Sequence, residues 1–159
     1  MVLDELKKNC RRSDRDISKI INIHPSTVGR IRNNLEEQGN IIGYTVCRDY
    51  HKAKYQMSLI CLKTKFIDKE GSEKIASFFD IDFNDDDENE TILIDAYESF
   101  GLYDYILTIA TKDQSALKRF MDKLKLVLTG YLNEEIDVVN ISKIYKKNEI
   151  AYNRENELL

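Results

Sequence analysis

An α+β protein in two parts is what this 159-residue sequence predicts: three short helices, then a βαββαβ ferredoxin-like sandwich. Three observations carry that expectation. Residues 1–39 place apolar side chains at helical spacing, punctuated by a cap, a turn residue and a proline. From Gln56 onward, strand-like and helix-like stretches alternate. Several of those strands are apolar on both faces, with Leu59 and Cys61 against Ile60 and Leu62, and Val138 against Val139 and Ile141. Helices cover one face of such a sheet, and the other face calls for a partner, which predicts a homodimer.

The first helix spans Val2 to Asn9, with Val2, Leu3 and Leu6 at helical spacing and Arg11-Arg12 at its negative dipole end. Ser13-Asp14-Arg15-Asp16 reads as a capping box that opens a second helix carrying Ile17, Ile20 and Ile21. Asn22 tolerates the left-handed backbone of a tight turn. Pro25 suits the first turn of a third helix, which runs to Gln38 and stops at Gly39. Two short helices across a four-residue turn, preceded by another helix, form a helix-turn-helix. Val28, Ile31 and Leu35 make the inward stripe of the third helix, so Ser26, Arg30 and Asn33 point nearly opposite. Such a row can enter a DNA major groove. Thr27 and Asn34 flank it and His24 stands at the helix entry near phosphate, which completes the candidate DNA contacts. Asn40 to Val46 reads as a β-segment that forms a wing.

Residues 1–47 are therefore the expected DNA-binding domain, 48–55 a linker or hinge, 56–147 the sandwich and 148–159 a tail. Within the sandwich the expected elements are a strand over Gln56–Phe66, a helix over Asp68–Asp80 and strands over Thr91–Glu98 and Tyr103–Thr111. A helix capped by Asp113 follows, and a last strand over Ile136–Tyr145.

Charge agrees with this division. Residues 1–50 hold nine Lys/Arg and seven Asp/Glu, whereas 51–159 hold fifteen and twenty-one, a mildly basic head on an acidic body. The N-terminus shows no secretory pattern, the apolar runs are too short to span a bilayer, and Cys10, Cys47 and Cys61 lack disulfide spacing, which predicts a cytoplasmic protein. Two histidines, His24 and His51, are too few for a zinc site. The acidic run 82–90 fails the calcium-loop pattern, because its sixth position is Asp87 rather than glycine and its twelfth Leu93 rather than glutamate. No paired nucleophile and base and no glycine-rich phosphate loop are present, so neither an enzyme nor a resident cofactor is expected.

Asp16-Ile17-Ser18-Lys19-Ile20, His24-Pro25-Ser26-Thr27-Val28 and the stretch Leu35 to Gly43-Tyr44 resemble the DNA-binding signature of the Lrp/AsnC family. The βαββαβ pattern, with Gly101-Leu102-Tyr103-Asp104-Tyr105 at its hairpin, is similar to that family's RAM domain (regulation of amino-acid metabolism). The resemblance implies a prokaryotic transcription regulator that binds palindromic duplex DNA as a dimer, tetramer or octamer and responds to an amino acid or other small metabolite. The expected effector site is the turn at Gly101, Tyr103 and Asp104. Glycine admits a close ligand, Tyr103 offers an aromatic wall, and Asp104 either pairs with an ammonium group or holds the turn together. Phe100 and Leu102 depart from the pattern and make the turn more apolar, which would fill such a pocket. His24 departs too, in place of a serine cap, and Gly29 lies inside the third helix at about 1 kcal/mol of helix propensity, admitting close approach to DNA or serving no purpose. Two other classes fit the plan. An effector-free architectural DNA binder is one. A sirohaem-decarboxylase type of enzyme subunit, similar to Lrp/AsnC proteins, is the other, but it needs histidines that residues 56–147 lack.

Overall fold

The computed structural model describes residues 1–65, 67–80, 90–147 and 150–151. The chain falls into two units, Met1–Cys47 and Arg48–Leu159.

The first unit holds helices α1 (Val2–Lys8), α2 (Asp14–Ile21) and α3 (Pro25–Glu37). Val2, Leu6, Ile17 and Val28 form its core, and Ile21, Ile23, Ile31 and Ile41 pack against them. Ile17 and Ile21, four residues apart, share the inward stripe of α2, while Ile20 falls off that stripe and is exposed. Arg12, expected to complement the end of α1, reaches back instead to the nearly buried Glu5, which also accepts from Lys8 Nζ at 2.6 Å. The Lys8 hydrogen bond in first place, and the charges of Lys8 and Arg12, hold the Glu5 carboxyl below the usual range.

The expected β-segment of the wing is not a strand. Residues 41–49 make no ladder among the described residues. Ile41 N–H donates to Leu35 O at 3.0 Å and its side chain docks on the core. Beyond it the side chains are open to water, with Ile42 98% and Val46 86% exposed. A strand is defined by the neighbour it bonds to, and a unit built of three helices supplies no neighbouring edge.

Residues 48–55, expected as a linker, begin the second unit as a closed turn. Ala53 N–H donates to Asp49 O, Lys54 N–H to His51 O and Tyr55 N–H to Tyr50 O, at 3.2, 2.9 and 2.9 Å. The Tyr50 and Tyr55 rings meet edge to face at 6.2 Å, apolar contact that a solvated linker does not make.

The sandwich follows as β1 (Gln56–Thr64), α4 (Lys69–Phe79), β2 (Thr91–Glu98), β3 (Tyr105–Thr111), α5 (Gln114–Val127) and β4 (Leu132–Ile141). The sheet order is β2-β3-β1-β4 with every pair antiparallel. Asp68 and Asp113 cap the two helices, accepting from Gly71 N–H and Ala116 N–H at 2.8 Å each. Ile60 and Leu62 of β1 and Leu107 and Ile109 of β3 face α4 and α5, packing with Ile75, Phe78, Phe120 and Leu124. Leu59 points to the opposite face, level with Thr108 and Val139. On that face Val139 is 52% and Tyr97 55% exposed. β4 starts at Leu132, ahead of the expected Ile136, and ends before Tyr145, because Asn133 to Glu135 belong to the strand without an apolar signature. β3 starts at Tyr105, Tyr103 and Asp104 belonging to the turn. A small hairpin of β5 (Lys146–Lys147) and β6 (Ile150–Ala151) comes last. The acidic stretch up to Asn89 and most of the tail lie outside the described residues, as does Phe66 at the expected end of β1. Among the described residues, no helix is long and apolar enough to cross a membrane.

Candidate nucleic-acid interface

Three local devices fix where α2 starts, where it ends and where α3 begins. Ser13 caps α2, its Oγ accepting from Asp16 N–H at 3.1 Å. Asn22 takes the left-handed conformation (φ 55°), and Ile23 N–H closes the turn on Ser18 O. His24 then caps α3: Nδ1 accepts from Ser26 N–H at 3.3 Å, with Ser26 Oγ 2.8 Å away. Imidazole therefore takes the place of a serine hydroxyl as the cap. Pro25 occupies the first turn, where its missing N–H is no loss.

A guanidinium clamp ties the helices together. Arg32 Nε and Nη2 donate to Asp14 Oδ1 at 2.9 and 2.7 Å, and Nη2 also donates to Arg12 O at 3.1 Å. Gly29 belongs to this contact, since a Cβ there would lie 3.0 Å from Asp14 Oδ2. The missing Cβ leaves room for Asp14 of α2 against α3, at the edge of the row of Ser26, Arg30 and Asn33. The end of α3 is trimmed by Gly39 (φ 70°) and by Tyr44, whose hydroxyl donates to Glu36 Oε1 at 2.7 Å and is pushed above its ordinary pKa chiefly by that bond.

The clamp leaves an open face. Ser26, Arg30, Asn33 and Asn34 are exposed, Thr27 is half-buried beside them, and His24 is exposed at the helix start. Among the described residues Arg30 has no hydrogen-bond or ion-pair partner, whereas Arg32 on the inner side is fully engaged. A charged fork and two amides presented along one helix face are donors and acceptors in search of a polar edge.

At the other predicted site the chemistry is more closed. Gly101 (φ 147°) makes the turn, with no atom near the position a Cβ would take. Asp104 Oδ2 accepts from Thr64 N–H and Thr64 Oγ1 at 2.7 and 2.9 Å, and Oδ1 accepts from Lys63 Nζ at 3.0 Å. The Thr64 backbone bond first, then Lys63, holds its carboxyl below the usual range. Lys63 Nζ also donates to Gly101 O at 3.3 Å. Tyr103 is turned toward β4, its hydroxyl donating to Asp137 Oδ2 at 2.7 Å. Phe100 and Leu102 fill no pocket here and project into solvent at the hairpin tip. Lys63 and Thr64 escaped the sequence reading because some forty positions separate them from Asp104 and only the β1–β3 pairing joins them.

Comparison with known proteins bears on both ends. Residues 1–42 match the family model described as winged helix-turn-helix DNA-binding. No curated protein matches the chain. Among solved structures, an AsnC family transcriptional regulator from Agrobacterium tumefaciens superposes with a TM-score of 0.73, at 15% identity, covering 99% of this chain and 95% of that one. LrpC of Bacillus subtilis gives 0.68 at 22% identity, covering 91% and 92%. The chain has the Lrp/AsnC fold. A transcriptional regulator from Neisseria meningitidis, solved as a complex with L-methionine, shares the Lrp/AsnC fold too, at a TM-score of 0.71 and 19% identity over 92% of this chain and 88% of that one.

Proposed function

We propose that this chain is a transcription regulator of the Lrp/AsnC type, which reads duplex DNA with α3 and binds pseudo-palindromic sites as a dimer or higher oligomer. The observation that carries this reading is the exposed row on α3, Ser26, Arg30 and Asn33 with Thr27 and Asn34 beside it, on a helix clamped from behind by Arg32 and Asp14. In this reading Arg30 meets a guanine edge, and His24 and Ser26 meet phosphate at the helix N-terminus. Dimerisation is supported by the sheet face opposite the helices, where Val139 and Tyr97 remain open to water and Leu59 is half-buried. Cytoplasmic placement follows from the same reading. Sequencing of DNA selected by the purified protein, followed by footprinting, tests it. Enriched sites with half-sites about one helical turn apart, roughly 10 bp or a multiple, support it. Unspaced, asymmetric single sites contradict it.

Control by an amino acid or other small metabolite is the second part of the proposal. The Neisseria regulator with its L-methionine supports the ligand class, and the Gly101 turn supports the place. The geometry changes the mode of binding. Asp104 is already bonded to the Lys63 ammonium, so a ligand ammonium binds by replacing Lys63 rather than by meeting a waiting carboxylate. Calorimetry with the twenty amino acids on the wild type, Asp104→Ala and Lys63→Ala tests this: Asp104→Ala abolishes binding and Lys63→Ala tightens it. No binding to the wild type, or binding that ignores both substitutions, makes the turn purely structural.

A further inference from the structure

The antiparallel sheet gathers one of its ends into a basic, aromatic cluster that neither the α3 face nor the Gly101 turn uses. Gln56 at the start of β1 is level with Thr111 at the end of β3, and Met57 with Ile141 at the end of β4. That register brings the 48–55 turn, Lys112 and the Lys146–Lys147 hairpin strand to the same end, the end opposite the Gly101 turn. The geometry is specific. Arg48 lies over both tyrosine rings, 5.7 Å from the Tyr50 centroid and 5.3 Å from that of Tyr55. Lys112 Nζ stands 4.1 Å over Tyr55 and donates to Ala53 O at 3.1 Å. Lys147 Nζ stands 4.6 Å over Tyr50. Lys52, Lys54 and Lys146 are exposed around them.

Lys112 and Lys147 are thus held by rings and a carbonyl, which are neutral. A carboxylate partner cancels a cation's field, whereas a π-face or a carbonyl orients the cation and leaves the charge intact. Among the described residues, the acids adjacent in sequence make other contacts: Asp49 Oδ1 accepts from Lys52 N–H at 3.0 Å and Asp113 caps α5. The unit around this cluster is acidic overall, with sixteen Lys/Arg against twenty-two Asp/Glu from residue 48 onward, so the positive patch is local. Its first cation, Arg48, follows directly on Cys47, the last residue of the first unit, so the chain itself tethers the patch to the helix-turn-helix.

We propose that this cluster is a second DNA contact, a phosphate-binding patch on the sandwich that engages the duplex backbone without reading sequence. The inference rests on the reading of α3 as a DNA-binding helix. Each phosphate neutralised by a lysine releases counterions, so the patch adds to the salt dependence of binding and not to base preference.

The test uses the full-length protein, a selected operator duplex and a scrambled duplex of equal length, titrated over a range of salt concentrations. The substitutions Lys52→Gln, Lys112→Gln, Lys146→Gln and Lys147→Gln are combined in one variant, with Lys112→Arg/Lys147→Arg as the charge-preserving control and thermal melting to confirm folding. The slope of log affinity against log salt falls by about 0.9 for each phosphate no longer neutralised, so by roughly 2 to 4 for the combined variant, with affinity for both duplexes weakened about tenfold or more and their ratio unchanged. The arginine control keeps the wild-type slope. A folded combined variant with the wild-type slope overturns the patch, all the more so if it no longer binds phosphatidylserine vesicles, which would assign the cluster to membranes. A wild type that binds neither duplex overturns the α3 reading, and the patch with it. A changed operator-to-scrambled ratio overturns the backbone assignment alone.

Discussion

At the scale of single residues, the same side-chain types do opposite things according to what lies behind them. Arg30 and Arg32 are two positions apart on α3, yet one faces solvent and the other closes on Asp14. Gly29 sits beside Arg30 with its missing Cβ toward Asp14. Replacement by alanine adds helix propensity of about 1 kcal/mol and at the same time presses on a carboxylate that Arg32 holds in place. The two effects nearly cancel, so Gly29→Ala leaves stability in denaturant within about 0.5 kcal/mol of wild type, and in an Asp14→Ala background it stabilises by the full amount of about 1 kcal/mol. Equal effects in both backgrounds would separate Gly29 from Asp14. Asp104 makes a comparable case on the sandwich. Its folded-state pKa is depressed, so its contribution is present above the unfolded carboxyl value and is lost as pH falls through the lower folded value. Asp104→Asn therefore destabilises the protein at neutral pH, by roughly 1–3 kcal/mol from the missing charge-assisted bonds, and the difference from wild type narrows in acid below about pH 4. A difference that stayed constant from pH 7 to pH 3 would show that the charge of Asp104 is idle. Whether Asp104 served a ligand or the turn was not readable from sequence, since its partners come from a different strand.

At the scale of elements, local chemistry was readable and long-range pairing was not. The caps Ser13 and Asp113, the left-handed Asn22 and the start of α3 at Pro25 act through neighbours a few residues away, and each appears where its side chain dictates. The wing failed as a strand because alternation of Ile42, Tyr44 and Val46 describes a face and supplies no edge to bond with. The early start of β4 went unseen for the converse reason: Thr64 supplies the pairing for Leu132, and polar residues occupy the strand between it and Ile136. The linker hid its order in the Tyr50–Tyr55 contact and in Lys112, which arrives from the end of β3. Packing of α4 against the turn before β4 adds a further element-scale prediction. A Cβ on Gly71 would lie 2.6 Å from the Tyr131 ring, which also stacks under Lys74 at 5.8 Å. Gly71→Ala costs roughly 1–3 kcal/mol through overpacking, and Gly71→Ala combined with Tyr131→Ala recovers part of that loss, both read by thermal or denaturant unfolding. An unaltered midpoint for Gly71→Ala would mean that the ring moves freely.

At the scale of the whole molecule, the chain joins a head with an open recognition face to a sandwich with one covered and one open sheet face. The open face gives the assembly prediction. Val139→Asp places a charge beside Leu59 on that face, so analytical ultracentrifugation shows the wild type as a dimer or larger and the variant shifted toward monomer with its fold intact by circular dichroism. A wild type that sediments as a monomer at micromolar concentration would contradict the dimer and the palindromic operators with it. The central claim, that α3 reads sequence, is tested most directly by the affinity for a selected operator relative to a scrambled duplex, measured at one salt concentration for the wild type and for Arg30→Ala. The account predicts that this ratio falls by roughly 1–3 kcal/mol, about five-fold to more than a hundred-fold, while affinity for the scrambled duplex changes little. Equal loss on both duplexes, with the ratio preserved, would contradict it.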